Sequence, residues 1–205
     1  MAELKGHKVL QFDLRKDIRG MQRLNPQILL EVAGDCGANT LFSLSGILSR
    51  EEAEELSLRQ TKCRENLAGD YKEVTSQYLL DKHLFTDLER RYEIITVDKD
   101  SLIRTLQTLK PGKGTMITMF PKNGPGHFVN VYRREDGGLE ILDLQNGVTE
   151  DLLTYMDTHD YSIFNIPSVN VKRNREQKGS TKRHRKCAEE GGRRRRRFIS
   201  RRKRI

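Results

Sequence analysis

The first half of the chain places its hydrophobic residues at helical spacing. Apolar residues recur at steps of three and four over 36–48, which predicts a helix with Asp35 as its N-cap. Ser49 and Glu52 form a capping-box pattern that predicts the start of a second, strongly charged helix. The other elements predicted in this half are a short strand at 8–14, a short helix or an apolar lead-in at 24–32, and a helix at 74–91.

The second half switches to a period of two, which is typical of half-buried strands. Two alternating runs are separated by a segment in which Asp136 and Gly137 predict the positive-φ turn of a hairpin. Asp100 is the predicted N-cap of an intervening helix. The predicted strands are 92–97, 115–120, 127–134, 139–145 and 161–166, and the predicted helices are 101–109 and 150–157.

This order of elements, helices first and then a mostly antiparallel sheet with helical insertions, indicates the α+β class. The 205 residues are enough for one domain with its own buried core. We assign residues 1–171 to that domain and residues 172–205 to a tail, because the pattern of apolar positions stops there.

The charge of the chain is divided unevenly between these two parts. The whole chain has a net charge of +9, from 38 Lys and Arg against 29 Asp and Glu. Residues 172–205 hold 17 Lys and Arg and only 3 Glu, which leaves 21 against 26 in residues 1–171. The tail has too few apolar residues to offset the entropy of ordering it, so we predict that it is disordered.

Two basic clusters in the tail suggest how it is used. Such clusters are typical of nuclear import signals and of segments that bind phosphate backbones. The alternative is a solubilising tail without a specific partner, and with Phe198 as its one aromatic residue the tail has little means of stacking on bases. The clusters consist of Arg193, Arg194, Arg195, Arg196 and Arg197, and of Arg201, Arg202, Lys203 and Arg204.

Composition and cysteine usage limit the cellular setting. No apolar run approaches the roughly 20 residues that span a bilayer, so we expect no membrane-spanning helix. The first 30 residues lack the apolar segment of a secretory signal peptide. Cys36, Cys63 and Cys187 are too few and too unevenly spaced for a disulfide framework. We therefore expect an intracellular protein.

Cys36 is the first candidate for chemistry, because it lies at the predicted N-terminus of the helix at 36–48. The helix dipole and the free backbone N–H groups of such a position favour the nucleophilic thiolate, and the same N–H groups can bind an oxyanion. The alternative is a buried structural cysteine, since most free cysteines are core residues.

His127 and Asp143 are the candidate partners of this thiol. His127 begins a predicted strand after two glycines that leave room for a ligand, and Asp143 lies on the next strand of the same hairpin. A histidine that is oriented by a carboxylate can serve as general base for a thiol. With Gly137 and Gly138 as the turn the two residues are out of register, so their pairing needs a bulge or a longer loop. A surface or core histidine and a turn-forming aspartate are the alternatives.

The order Cys, His, Asp, and the residues around the last two, resemble a known family. The segment 126–147 is similar to the His and Asp signature of the papain-fold toxin and protein-glutamine deamidase group. In that signature a strand with a His and an Asn-Val pair precedes a glycine turn and D-x-Q-x-G. The segment around Cys36 resembles the group's nucleophile helix. The matching positions are His127, Asn130, Val131, Gly137, Gly138, Asp143, Gln145 and Gly147.

The resemblance implies a papain-like fold and attack of the Cys36 thiolate on an amide carbonyl, typically of glutamine in a partner protein. The histidine is then the base and the aspartate its orienting acceptor. Gln145 either orients the site or caps the end of the hairpin. The usual second oxyanion donor, a Gln shortly before the nucleophile, has no counterpart at that spacing. Gln27 and Asn25 are the nearest candidates, and neither is well placed, so this donor is unassigned.

Two classes of function follow. The first is a papain-like cysteine amidohydrolase, a protein-glutamine deamidase or a cysteine peptidase, as in a microbial effector or a viral protein. The second is a non-enzymatic, virion- or nucleic-acid-associated basic protein on the same scaffold, which predicts that the three candidate side chains do not converge. We predict no cofactor, and no metal site because no histidine has a partner at ligand spacing. The expected partners are a protein substrate and, through the tail, nucleic acid or importin in the host cytoplasm or nucleus.

Overall fold

The computed structural model describes residues 6–31, 33–65, 74–84 and 92–171. In this part of the chain, five α-helices and a seven-stranded, mostly antiparallel sheet form an α+β fold, as the hydrophobic pattern predicts. The tail at 172–205 lies outside the described residues, so its disorder stays a prediction.

The chain contributes helices first and most of the sheet afterwards. The sheet order is β1-β7-β3-β4-β5-β6, with β2 also paired to β7. The strands are β1 (His7–Val9), β2 (Tyr92–Val97), β3 (Gly114–Pro121), β4 (His127–Arg133), β5 (Leu139–Asp143), β6 (Val148–Asp151) and β7 (Tyr161–Asn170). The helices are α1 (Cys36–Ser43), α2 (Arg50–Arg64), α3 (Ser76–Leu79), α4 (Lys99–Leu106) and α5 (Leu152–Thr158), with a 3-10 turn at Ile18–Gly20 and a π-helical turn at Leu80–Leu84.

Capping contacts explain where two of the helices begin. The Ser49 hydroxyl accepts from the Glu52 N–H at 3.2 Å, and the Glu52 carboxylate accepts from the Ser49 N–H at 2.8 Å, so the predicted capping box starts α2. The N-cap of α4 is Asp98, whose carboxylate accepts from the Ser101 N–H at 2.8 Å. The prediction of Asp100 as this cap was wrong, because α4 already begins at Lys99 and Asp100 lies in its first turn.

Two predicted helices differ from the structure. The helix that starts at Cys36 ends at Ser43 and does not reach residue 48, because Leu44 adopts an extended conformation and forms a β-bridge with Leu14. The helical spacing of leucines beyond that point therefore reflects burial in a loop. Residues 24–31 form turns where a helix was one of the two predicted alternatives. Asn25 has a φ of 46° there, which is incompatible with a right-handed helix.

Two further predicted elements are present only in part. The strand predicted at 8–14 appears as β1 followed by isolated bridges at Phe12 and Leu14. The helix predicted at 74–91 appears as α3 and the π-helical turn that ends at Leu84. Its last residues, 85–91, lie outside the described part of the chain.

Helices cover both faces of the sheet, and a separate hydrophobic cluster fills each interface. Val129 and Ile141 belong to the cluster under α4 and α5. Phe128 and Leu142, their neighbours along the same strands, belong to the cluster under α1 and α2. Because alternate side chains of a strand point to opposite faces, this division fixes which residues of β4 and β5 share a face.

The hairpin of β4 and β5 brings His127 and Asp143 to the same face. Arg133 pairs with Leu139, so the loop runs over 134–138 and is longer than a turn of Gly137 and Gly138 alone. Within this loop only Gly137 has positive φ, at 87°, whereas the prediction also gave it to Asp136. Asn130 pairs with Leu142, which puts Asp143 diagonally across from His127 without a bulge. The longer loop was one of the two arrangements that the sequence left open.

Candidate active site

His127 and Asp143 are in contact where β4 begins and β5 ends, and Cys36 lies close to the imidazole. His127 Nε2 lies 2.7 Å from Asp143 Oδ2. Cys36 lies in the same cleft as His127, close enough to interact electrostatically with its imidazole. Because Nε2 bonds the carboxylate, Nδ1 is the ring nitrogen left for the thiol. The structure places His127 against Asp143 and Cys36 in the same cleft, whereas the non-enzymatic hypothesis predicted that these side chains do not converge.

Asp143 is buried but well hydrogen-bonded. Asp143 is 2% exposed to solvent. Besides His127, the carboxylate accepts from the Asn146 amide at 2.7 Å, from the Tyr155 hydroxyl at 3.1 Å and from the Asn146 backbone N–H at 3.3 Å. A buried carboxylate with so many donors is stable in its ionised form, because the hydrogen bonds replace the lost hydration.

The contacts of His127 change its protonation. Burial alone would lower the pKa of His127, but hydrogen bonds and charge interactions with Asp143 and Cys36 outweigh burial and raise the pKa to about 10. Burial would raise the pKa of Asp143, yet the hydrogen bonds from His127 and Asn146 lower it from its ordinary value. The raised pKa of His127 and the lowered pKa of Asp143 both favour the charged pair, so at neutral pH an imidazolium faces a carboxylate.

Cys36 is the first residue of α1, and the groups before it leave the end of that helix open. Asp35 is in the N-cap position, but its side chain makes no capping hydrogen bond. Gln60 Oε1 instead accepts from the Ala38 N–H at 2.9 Å. Among the described residues, no group accepts from the backbone N–H of Cys36 or of Gly37. The helix end therefore presents two N–H donors next to the thiol, which suits an oxyanion.

Gln145 contacts the segment that carries the thiol. Its amide nitrogen donates to Asp35 Oδ1 at 2.7 Å and lies 3.4 Å from the Ala33 carbonyl. The other carboxylate oxygen of Asp35 accepts from the Ser57 hydroxyl at 2.5 Å. These contacts join the end of β5 to the segment that carries the thiol, and a role of Gln145 in the chemistry stays a prediction.

Cys36 and His127 line a cleft of about 860 Å³, and Asp143 lies behind the imidazole, against Nε2. Cys36 is partly exposed in the cleft, so a substrate can reach the thiol. The aromatic rings of Phe120 and Tyr161 form part of the wall of this cleft. The prediction that both glycines before His127 leave room for a ligand was wrong for Gly126, because a Cβ there would lie 2.7 Å from the Phe120 ring. The aromatic ring fills the space that this glycine leaves.

The two upstream amides do not line the cleft. The Asn25 amide nitrogen donates to the Ser57 hydroxyl at 2.9 Å and to the Glu54 carbonyl at 3.0 Å. Gln27 donates to the Asn25 side chain at 3.2 Å. Both amides therefore brace the loop before α1, and neither is a second oxyanion donor.

Two contributors to the site were missed by sequence reasoning. Asn146 and Tyr155 both donate to Asp143. Asn146 follows the D-x-Q segment directly, so an amide so close to a strand-end aspartate was a usable signal. Tyr155 lies on the buried face of α5 between Leu152 and Met156, where the hydrophobic period identifies burial but not the partner of the hydroxyl.

The remaining predicted site residues cannot be located. The clusters at 193–197 and 201–204 lie outside the described residues. Within the described ranges, no group of three or more His, Cys, Asp or Glu residues is arranged to hold a metal ion. No helix there has the length and apolar character to cross a bilayer.

No protein-family model matches the sequence, and no curated protein matches it with significance.

Proposed function

We propose that this chain is a papain-like cysteine amidohydrolase that deamidates glutamine side chains of a partner protein. One observation carries the proposal, namely the His127–Asp143 pair with Cys36 beside the imidazole in an open cleft. A thiol at a helix N-terminus, paired with a carboxylate-bound imidazole, is the arrangement that nucleophilic attack on an amide requires.

The papain-like assignment of the fold is part of this proposal. It is supported by the nucleophile at the start of α1 and by the base and its acceptor on the adjacent antiparallel strands β4 and β5. It is supported as well by the sequence resemblance of the segment 126–147. A fold alone does not imply an activity, so the proposed function depends on the residues of the site.

In the first half-reaction, the Cys36 sulfur attacks the carbonyl carbon of the amide and a tetrahedral oxyanion forms. The N–H groups of Cys36 and Gly37 are positioned to donate to that oxyanion. His127, as imidazolium, then protonates the amide nitrogen, and the C–N bond breaks. Ammonia leaves, and the acyl group remains on sulfur as a thioester.

In the second half-reaction, neutral His127 takes a proton from water, and the resulting hydroxide attacks the thioester carbonyl. The C–S bond breaks, the sulfur leaves as a thiolate, and the former glutamine is released as glutamate. His127 is again an imidazolium. Asp143 keeps its charge throughout and stabilises the imidazolium in both halves.

Deamidation and peptide-bond cleavage share these steps and differ in the leaving group, which is ammonia in one and an amine in the other. The family resemblance favours the glutamine side chain, and peptidase activity is the second candidate. The cleft of about 860 Å³ is larger than a single side chain needs, which is consistent with a macromolecular substrate in both cases.

The test uses the full chain and unfolded casein as a glutamine-rich protein. Deamidation predicts release of ammonia and a mass gain of about 1 Da at individual glutamines, whereas a peptidase would give new termini. The Cys36→Ala variant should lower either product by about 1,000-fold or more, because the residual rate comes from binding and the oxyanion donors alone. Product formation that is unchanged in Cys36→Ala, or no product from casein and from a panel of folded proteins, would overturn the proposal.

As part of the same proposal, the basic tail binds polyanions or an import receptor. The support is its composition, with 17 Lys and Arg in residues 172–205. Counterion release predicts that binding to a DNA duplex weakens steeply with salt and depends little on sequence. A chain truncated after residue 171 should lose this binding but keep its fold and its hydrolysis of amides. Loss of activity together with the tail would contradict the division at 171.

A further inference from the structure

Tyr155 makes a contact with the site that its burial alone does not require. Tyr155 lies on α5 and is 1% exposed to solvent. Its hydroxyl donates to Asp143 Oδ2 at 3.1 Å, the same oxygen that faces His127 at 2.7 Å. A phenylalanine would fill nearly the same volume, so packing alone does not explain why a hydroxyl is present at this position.

The hydroxyl of Tyr155 is held as a donor. Burial and the charge of Asp143 raise its pKa, so it remains protonated. The Tyr155 ring lies parallel to that of Tyr161, with 6.2 Å between the ring centroids. The ring is stacked on His159, with 4.3 Å between the ring centroids. A side chain constrained in this way has little rotational freedom to lose when it orients a carboxylate.

The orientation of Asp143 decides where His127 points. Asn146 is exposed and adjacent in sequence, so its contact with the carboxylate can open to water. Tyr155 is buried on a separate helix, α5, and its hydroxyl donates to Asp143 Oδ2, the oxygen that also contacts the imidazole. Without it, the carboxylate keeps its charge but has one fewer fixed contact to define its plane.

We propose that Tyr155 is a positioning residue of the site, which holds the Asp143 carboxylate so that His127 stays turned toward Cys36. The inference rests on the proposed function. It also predicts an electrostatic effect, because a hydrogen bond donated to a carboxylate withdraws negative charge from it. When the hydroxyl is removed, Asp143 should stabilise the imidazolium more strongly, and His127 should hold its proton to higher pH.

The titration of His127 separates this role from simple packing. The ionisable groups that face Asp143 or its imidazole partner come from four elements and the residue after α5. They are His127 on β4, Cys36 on α1, Tyr155 on α5, Tyr161 on β7, and His159. The Tyr155→Phe substitution changes only one of these groups. A role in packing alone would leave the protonation of His127 unchanged, because the ring volume is preserved.

The experiment measures the His127 pKa by NMR in the full chain, together with the pH profile of casein deamidation. We expect the Tyr155→Phe change to move the His127 titration and the alkaline limb of activity upward, and to lower kcat by about 3- to 30-fold with little change in KM. The matched control is Tyr132→Phe, which removes a hydroxyl for which the structure gives no hydrogen bond. It should change neither quantity.

A second substitution at the same position keeps the test decisive if Tyr155→Phe does not fold. Site-specific 3-fluorotyrosine at position 155 retains the ring and has a more acidic, stronger donor, so it should move the His127 titration downward. Unchanged titration in both variants would overturn the positioning role even where the wild type is active. A shifted titration in a wild-type chain that hydrolyses no amide would instead support the role of Tyr155 and overturn the proposed function.

Discussion

Two buried carboxylates lie close to the candidate thiol, and they differ in their partners. Asp35 precedes Cys36 in the chain and is 0% exposed, and Asp143 reaches the thiol through His127 and is 2% exposed. Asp35 accepts from the neutral side chains of Ser57 and Gln145. Asp143 accepts from neutral donors too, but one of its partners is a titratable imidazole.

The comparison separates structural from chemical use of a buried carboxylate. Hydrogen bonds from neutral donors make burial of Asp35 tolerable and join α2 and the end of β5 to the loop before Cys36. The imidazole beside Asp143 can gain or lose a proton, so the same kind of burial there controls the charge of His127. Depth of burial therefore does not identify a functional carboxylate, whereas a partner that titrates does.

The largest expected difference between the two carboxylates is in activity. Asp143→Ala should lower kcat/KM for casein deamidation by about 100-fold or more, because His127 loses both its orientation and the charge that stabilises its imidazolium. Asp35→Asn should lower it by less than about tenfold, since the imidazole is untouched. Equal losses in the two variants, measured on protein whose folding is verified by circular dichroism, would break the comparison.

The Asp35→Asn change should nevertheless lower stability. In Asp35→Asn the new amide nitrogen must face either Ser57 or Gln145, both of which donate in the wild type. A donor without an acceptor at a fully buried position should cost about 2–3 kcal/mol in the free energy of unfolding. Urea unfolding measures this cost, with the exposed change Asp157→Asn as control. A loss no larger than that of the control would mean that the contacts of Asp35 can rearrange freely.

The dependence of stability on pH should come from the cluster around Asp143. The folded pKa of His127, about 10, exceeds the ordinary value of 6.5. The stabilisation is therefore fully present below about pH 6.5 and is lost as the pH rises through 10. For Asp143 the pKa is lowered, so its contribution is present above its ordinary value and is lost as the pH falls through the lowered one.

His127→Gln tests this linkage. The free energy of unfolding should differ between wild type and variant by about 1–2 kcal/mol at pH 6.5, and the difference should shrink toward pH 10. Urea unfolding at several pH values measures it. A difference that is independent of pH would show that His127 is not charged in the folded protein at neutral pH.

The smallest expected effect lies outside both clusters. Ser49→Ala removes the capping box of α2 and should cost about 1 kcal/mol of stability. It should leave the deamidation rate unchanged, because none of its contacts reaches the cleft. A large loss of activity would mean that the position of α2, which carries Ser57 and Gln60, is coupled to the thiol through the Asp35 contacts.

Much of the fold and the core of the site follow from local pattern. The period of two identified β4 and β5, and the position of Cys36 at a helix start needed only the apolar spacing after it. The loop length that aligns His127 with Asp143 was left open, because it depends on how the Asp136 carboxylate accepts from the Gly138 N–H at 2.9 Å, a contact that alternation does not encode.

Long-range polar contacts were the part that the sequence could not give. Gln145 and Asp35 meet across 110 positions of the chain, and periodicity carries no information on such a pairing. The same holds for the Tyr155 hydroxyl, because an aromatic residue on the apolar face of a helix looks alike whether or not its oxygen has a partner. Such residues are found only after the strands and helices have been packed.

The most direct test of the central claim is the alkylation of Cys36 by iodoacetamide at pH 7, followed by mass spectrometry of each cysteine. An ordinary thiol is mostly protonated at this pH, so fast alkylation requires stabilisation of the thiolate. We predict that wild-type Cys36 reacts at least about tenfold faster than Cys36 in His127→Ala, while buried Cys63 reacts slowly in both and reports intact folding. A Cys36 rate that His127→Ala leaves unchanged would contradict an activated thiol and the enzyme built on it.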